Sequence, residues 1–528
     1  MLEQQQETLE ESWNNIFTVF YTYYGSRNEA LKGDAAQIYE VIASDSDVAD
    51  EFIVRFVERD DWSLEEKLYL ATAALEDFPG AAHLKLCVQM LDFCIDVPKY
   101  FNSLFYCIVR FSFMHGKNIE GFDDNTFKAE ALWPRYNAFI ERHFGDFEFP
   151  HQEPTANPER RAAFVTPQVL GLGHSTTRIA LEYCRALAVN GGRTVLLANT
   201  ELFPQQNEAP VNGAFIANRP PETADNIGRL DYEGCSFVYW RPNDIAFSVE
   251  KVKSAVLSID AYCPSVVYSQ GDWNMVADVL ARKYPVVHVP SLRGQAMSHA
   301  HVYLHPVRGE ERNNFEPLAD QVGKYHPYTY MPIVPPTSDA PPERTSSIPK
   351  DAVVFAMAGN RLGAEIDDSF ADVVASILSK NKKAHVAIVC PDYNGELNIK
   401  LSKKLARRVH KFGWQDDLGA FFKTCDVVLN PFRQGGAISA YLAMREGLPI
   451  LSLGDCDVQN YIGRELCVAD KEAYKEQALR LSTSPEARAK LSHRIKERVV
   501  EIPILAEVPE VLDAANEHAC DVFAASRN

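Results

Sequence analysis

Apolar spacing divides the chain into a helical part and two stretches with a strand rhythm. Leu64, Leu68, Ala71, Leu75 and Phe78 recur at steps of four and three before Pro79-Gly80 ends the run, which is the stripe of an amphipathic helix. Ser63 stands three residues before Glu66, the spacing of a capping box. Similar stripes in HLKLCVQMLDFCIDV and in the aromatic-rich KYFNSLFYCIVRFSF predict an all-helical domain over residues 1–155. Such a domain serves either as a scaffold for its neighbour or as a docking surface for a partner. The polar, proline-bearing text from Pro150 to Arg161 marks its boundary.

Beyond that boundary the period changes. AAFVTPQVL reads as a strand, Gly171-Leu-Gly-His-Ser-Thr-Thr-Arg178 as a glycine turn, IALEYCRALAVN as a helix and GGRTVLLAN as a second strand, the βαβ order of a doubly wound sheet. CSFVYW, SVVYS and VVHVP supply further strands, with helices at VEKVKSAVLSI and NMVADVLARKY. A proline-rich linker follows Pro335, and the rhythm then resumes with strands in DAVVFAMAGN, AHVAIVCP and RVHKFGW and helices in DSFADVVASILSK and LGAFFKTC. The predicted fold class is therefore α/β. Two doubly wound domains, residues 156–335 and 336–490, face each other across a cleft, with the helical domain before them and a helical tail, residues 491–528, after them. RELCVADKEAYKEQALRL and SPEARAKLSHRIKERVV read as helices. Ligands of such sheets sit outside the carboxyl ends of the strands.

Four polar groupings fall at those ends. The first is the stretch Leu429 to Leu451. Val427–Leu429 reads as a buried strand at the centre of the second sheet, ended by Asn430-Pro431; Gly435-Gly436 makes a turn, Ile438–Arg445 a helix, and Ile450–Leu453 a return to strand. Turn amides and the positive end of a helix dipole then converge, a seat for phosphate that would equally serve as a plain tight turn. The second is His174, beside two glycines at a helix start, where a neutral imidazole can act as a base; alternatively Ser175 or Thr176 caps the helix there. Arg178, one turn further on, can reach a phosphate or carboxylate. The third is Asn360 and Arg361 between Gly359 and Gly363, a loop able to clamp a pyrophosphate. The fourth holds His299, His301 and His305 at even steps; no acidic partner stands at a clear spacing, so no metal site is expected and His299 is placed near the cleft. Trp414 suits either a base edge or the core. No GKS/T phosphate loop is present, so ATP hydrolysis has no support.

Composition narrows the setting. A formal charge of -19 argues against a nucleic-acid partner. Eleven cysteines, none in a CxxC pair, sit mostly in apolar runs, the usage of buried thiols in a reducing compartment. The start is polar and acidic, and no run reaches about eighteen apolar residues, so neither a signal peptide nor a transmembrane segment is expected. A cytoplasmic location is the expectation from these features.

Over about residues 162–490 the chain resembles the nucleotide-sugar glycosyltransferases of the two-domain GT-B fold. Among them it is more similar to the bacterial cytoplasmic N-glycosyltransferases of adhesins, relatives of the O-linked N-acetylglucosamine transferases. His174-Ser-Thr looks like that family's first-domain histidine loop, and Cys425-Asp-Val-Val-Leu-Asn-Pro-Phe432, followed by glycine, looks like its donor-site strand and turn. The resemblance implies that Asn430, Gly435, Gly436 and the following helix, Ser439 included, hold the diphosphate of a nucleotide sugar, with Asn360 and Arg361 facing it. It implies a UDP-hexose or UDP-N-acetylhexosamine as co-substrate, with no other cofactor, and terminal helices crossing back to the first α/β domain. In such a transfer His174 takes the proton of a hydroxyl acceptor, direct displacement assisted by that base inverts the sugar, and no divalent metal is required where helix amides and Arg361 supply the compensating charge. A protein side chain is the implied acceptor; a polysaccharide or lipid-linked glycan, or a non-catalytic protein on a decayed transferase fold, are the alternatives. Two positions depart from the pattern. The family usually has a lysine where Asn360-Arg361 stands, and an acidic residue where this chain has Tyr441-Leu442.

Overall fold

The computed structural model describes residues 13–24, 29–116, 119, 121–151, 160–170, 174–204, 209–212, 227–244, 246–290, 296–306, 318, 321, 323–328, 330–333, 347–390, 402–415, 417–454 and 456–527. Gly171 and Gly173 of the histidine turn, and most of the two boundary segments, lie outside them. Helices from Lys32–Ser44 to Trp133–Phe144 build the N-terminal domain. The capping box forms as expected: Glu66 N donates to Ser63 Oγ at 3.2 Å and Ser63 N donates to Glu66 Oε2 at 2.8 Å. Leu68, Ala71 and Leu75 are buried.

The first α/β domain is an eight-stranded sheet. Its strands are β1 (Arg161–Thr166), β2 (Thr194–Asn199), β3 (Ile227–Tyr232), β4 (Cys235–Trp240), β5 (Val266–Gln270), β6 (Val286–Val289), β7 (Val302–Pro306) and β8 (Lys324–Tyr328), in the order β3-β4-β2-β1-β5-β6-β7-β8. All neighbours are parallel except β3 and β4. The helical domain packs on one face of this sheet, and its core is continuous with Ala163, Val165 and Leu196. Phe105 meets Trp273 edge-on at 5.4 Å, Tyr136 donates to Asp278, and buried Lys128 reaches Asp272 at 3.3 Å. Burial opposes the charge on Lys128, but Asp272 and then Asp124 outweigh it and hold its pKa above the ordinary lysine value. On the other face lie the helices Ser175–Val189 and Glu510–Ala525, the latter burying Leu512, Ala515 and Ala519. The C-terminal chain thus crosses back to the first domain.

The second domain has five parallel strands, β9 (Val353–Ala358), β10 (Ala384–Val389), β11 (Val409–Phe412), β12 (Val427–Leu429) and β13 (Ile450–Leu451), in the order β11-β10-β9-β12-β13. β12 is interior, beside the central β9. Two sequence expectations are corrected here. Arg464 to Leu481 is not one helix: Gly463, at φ 90°, opens a short 3-10 turn at Arg464–Leu466, and the helix Lys471–Thr483 begins only where Asp470 accepts from Ala473 N. The return strand stops at Leu451 instead of Leu453. Helix Pro485–Val500 starts as read, with Ser484 as its cap and proline in the first turn. Among the described residues, no helix is long and apolar enough to cross a membrane.

Candidate functional site

In the second domain, β12 delivers the chain to Asn430, and a polar clamp shapes the glycine turn beyond it. Asn430 Nδ2 donates to Ser452 Oγ at 3.1 Å, and its Oδ1 accepts from Arg433 Nε at 2.8 Å. Arg433 spends its other two nitrogens on Glu365 Oε2, at 2.7 Å, and on the Ala358 carbonyl, at 2.9 Å. The turn above this clamp needs glycine. Gly436 has φ 115°, and a Cβ there would lie 2.5 Å from Asn430 Oδ1. The helix Ala437–Arg445 then starts without any side-chain cap, leaving first-turn amides and the positive helix end at the cleft.

Above the turn lies the loop after β9. Arg361 Nε contacts Glu365 Oε1 at 3.1 Å while half of its side chain remains exposed. A Cβ on Gly435 would lie 3.4 Å from Arg361 Nη2, so the guanidinium overhangs the glycine turn. Burial opposes ionisation of Glu365, but Arg433 and then Arg361 outweigh it and hold the carboxyl below its ordinary value. One carboxylate therefore orients two arginines.

The first domain supplies the facing wall. His174 is the N-cap of helix Ser175–Val189 and makes no side-chain cap bond; neither Ser175 nor Thr176 takes that place. Its Nδ1 lies 2.7 Å from Thr176 Oγ1. The helix start is fixed from the sheet, since Gln270 Nε2 donates to the Thr176 carbonyl and Thr166 Oγ1 donates to Gln270 Oε1. Burial, and then the charge of Arg361 across the cleft, lower the pKa of His174 below the ordinary histidine value. The ring is therefore neutral at neutral pH.

These walls enclose a cavity of about 410 Å³, lined by His174, Arg178, Asn360, Arg361, Gly435, Gly436 and Ser439 among others, within the size range of small-molecule sites. Arg178 also bonds the Tyr232 hydroxyl. Two sequence-predicted residues sit elsewhere. His299 does not line the cavity: its ring packs 4.9 Å from Trp133 of the helical domain, and its backbone N donates to Asp278. Asn430 lies beneath the turn, 4 % exposed, with both ends of its amide bonded to protein. Tyr441 turns away into the core and donates to the Ile502 carbonyl at 3.3 Å, so only Leu442 of that pair faces the cavity. Sequence reading missed Glu365, Arg433, Asp457 and Phe113, which also line it. The i,i+4 spacing of Arg361 and Glu365 was a usable signal for the first of these. Among the described residues, no three His, Cys, Asp or Glu side chains cluster as a metal site would require.

Residues 355–484 match the sequence family described as glycosyl transferases group 1. A mutant O-GlcNAc transferase of Thermobaculum terrenum is 13 % identical, covers 98 % of this chain and 99 % of its own, and superposes with a TM-score of 0.50. The fold is GT-B-like. An α,α-trehalose 6-phosphate synthase of Burkholderia multivorans is 11 % identical over 69 % of this chain and 99 % of its own, with a TM-score of 0.44. No curated protein sequence matches the chain.

Proposed function

We propose that this chain transfers a glycosyl group from a nucleoside diphosphate sugar to a hydroxyl held in the interdomain cleft. The observation that carries this reading is a convergence. Arg361 and the uncapped start of helix Ala437–Arg445 meet at one glycine turn, opposite a neutral histidine, in a domain that matches group 1 glycosyl transferases. In the reaction, the bond from the sugar carbon to the diphosphate oxygen breaks as the acceptor oxygen bonds to that carbon. The nucleoside diphosphate leaves with the electron pair. Arg361 and the turn amides offset the growing charge, a contribution worth several kcal/mol in such sites. His174 takes the acceptor proton: in the tautomer whose Nδ1–H donates to Thr176 Oγ1, Nε2 is the basic nitrogen. A single displacement of this kind inverts the sugar carbon and routes no step through a metal.

A UDP-linked hexose or N-acetylhexosamine is the donor we favour by resemblance, and Leu442 in place of an acidic residue makes the nucleotide the first thing to test. For the acceptor, a glycan or lipid-linked glycan is favoured over a protein side chain. The helical domain supplies Phe113 alone among the described lining residues and otherwise packs on a face of the first sheet, so among the described residues it adds no support for a polypeptide groove. The non-catalytic alternative requires Tyr441-Leu442 to block the ribose pocket; Tyr441 points into the core, and Leu442 alone of the pair lines the cavity. Calorimetry across UDP, GDP, ADP and dTDP sugars tests the donor, and mass spectrometry of glycan and protein acceptors tests the transfer. Folded protein that binds none of these donors would sink the transferase reading.

A further inference from the structure

We infer that Phe113, a residue of the helical domain, is a positioning residue for the donor site: its ring holds the guanidinium of Arg361 over the glycine turn. This inference rests on the transferase reading above and assigns donor affinity in part to a domain that carries no other lining residue among those described.

Phe113 lies near the end of the helix Pro98–His115, whose Phe101, Leu104, Phe105 and Ile108 are buried. The helix packs on the first α/β domain through Phe105, which meets Trp273 in the turn after β5, and Phe113 projects from its last turn half-buried into the cavity. The Arg361 guanidinium carbon stands 5.0 Å from the centre of that ring. A Cβ on Gly435 would lie 4.0 Å from the tip of the same ring and 3.4 Å from Arg361 Nη2. Three segments from two domains therefore meet at the point where the diphosphate is proposed to lie.

The contact matters because Arg361 is otherwise loosely held. Its side chain is long and 49 % exposed, and the buried carboxylate of Glu365 grips it at Nε, a contact that leaves the Nη edge of the guanidinium still to be placed. A flexible arginine loses rotamer freedom on meeting an anion, and that loss subtracts from affinity. A ring against the guanidinium face, with a carboxylate at Nε, removes much of this freedom beforehand and leaves the Nη edge toward the turn. Phe113 touches no reacting atom in this arrangement. It acts through Arg361.

The test is calorimetry with UDP, GDP, ADP and dTDP, followed by steady-state kinetics with the sugar form of whichever binds best, on four full-length proteins: unaltered, Phe113→Ala, Arg361→Ala and the double variant. Phe113→Ala should weaken nucleotide binding about 3- to 10-fold, the scale of one cation–π contact. Donor KM should rise with little change in kcat, and Phe113→Trp should restore affinity because it keeps a ring at the same place. In the Arg361→Ala background the same change should have almost no further effect. Unchanged binding by Phe113→Ala, or an equal loss with and without Arg361, overturns the inference and leaves the transferase reading standing. Binding of none of the four nucleotides by the unaltered protein overturns both.

Discussion

His174 and Arg361 come from different domains and are electrostatically coupled, which gives each a distinct signature. Replacing His174 with alanine should lower turnover by roughly 10²- to 10⁴-fold, the size of a general-base contribution, with donor affinity nearly intact. Arg361→Ala should weaken the donor complex by about 1.5–3 kcal/mol, the scale of a hydrogen bond to a charged group. The pH profile offers a sharper comparison. A base must be neutral to act, and the pKa of His174 is lowered by burial and then by Arg361, so the acid limb of kcat/KM should lie below the ordinary histidine value. Removing the Arg361 charge should move that limb to higher pH. A limb that stays in place in Arg361→Ala would separate the two residues, and normal turnover in His174→Ala would remove the histidine from the mechanism.

At the scale of elements, the glycine turn depends on a buried ion pair. Arg433 and Glu365 have side chains 8 % and 6 % exposed and lie 2.7 Å apart, so Arg433→Met leaves a buried carboxylate with only Arg361 beside it. The expected cost is about 3 kcal/mol, the low end for breaking such a pair, read as a lower thermal midpoint together with lost donor binding. Unchanged stability would show the pair to be dispensable. The same stretch shows what one sequence can reveal. β12, the helix after it, β9 and β10 were legible because each is a mostly apolar run closed by Gly, Pro or Asn, and β11 because Val409 and Phe412 stand just before Gly413. β3, β7 and β8 were not: β3 contains Gly228, Arg229 and Asp231, and β7 and β8 carry His305-Pro306 and His326-Pro327. β3 and β8 are edge strands, where polar residues and proline are tolerated. The site was half legible for a similar reason. Glycine, histidine and arginine at strand ends stand out in a sequence, whereas the pairing of Arg433 with Glu365, 68 residues apart, exists only after folding. His299 packs against Trp133 of the helical domain instead of lining the cavity, a contact between distant parts of the chain that spacing does not show.

For the whole molecule, buried histidines set the response to acid. Burial lowers the pKa of His83, His288 and His301 to about 4, while in an unfolded chain they titrate near 6.5. Between those values the unfolded state binds protons that the folded state refuses, so the contribution of these three histidines to stability is constant above about pH 6.5 and falls as pH drops toward 4, by up to ~1.4 kcal/mol per pH unit for each. Thermal midpoints measured from pH 7.5 to 4.5 should trace this, and His83→Leu should flatten the slope; an unchanged slope would exclude His83. The returning C-terminal helix has another consequence, which concerns time. Tyr268 of the first sheet donates to Asn516 at 2.6 Å, and Leu512, Ala515 and Ala519 roof that sheet. A ribosome making this chain has therefore finished all eight strands of the first sheet, and the whole second domain, before the helix that shares the covering of one face with Ser175–Val189 exists. The early sheet must wait with part of its apolar face open, so chains cut short before Glu510 should aggregate during synthesis even when every residue of the cleft has been made.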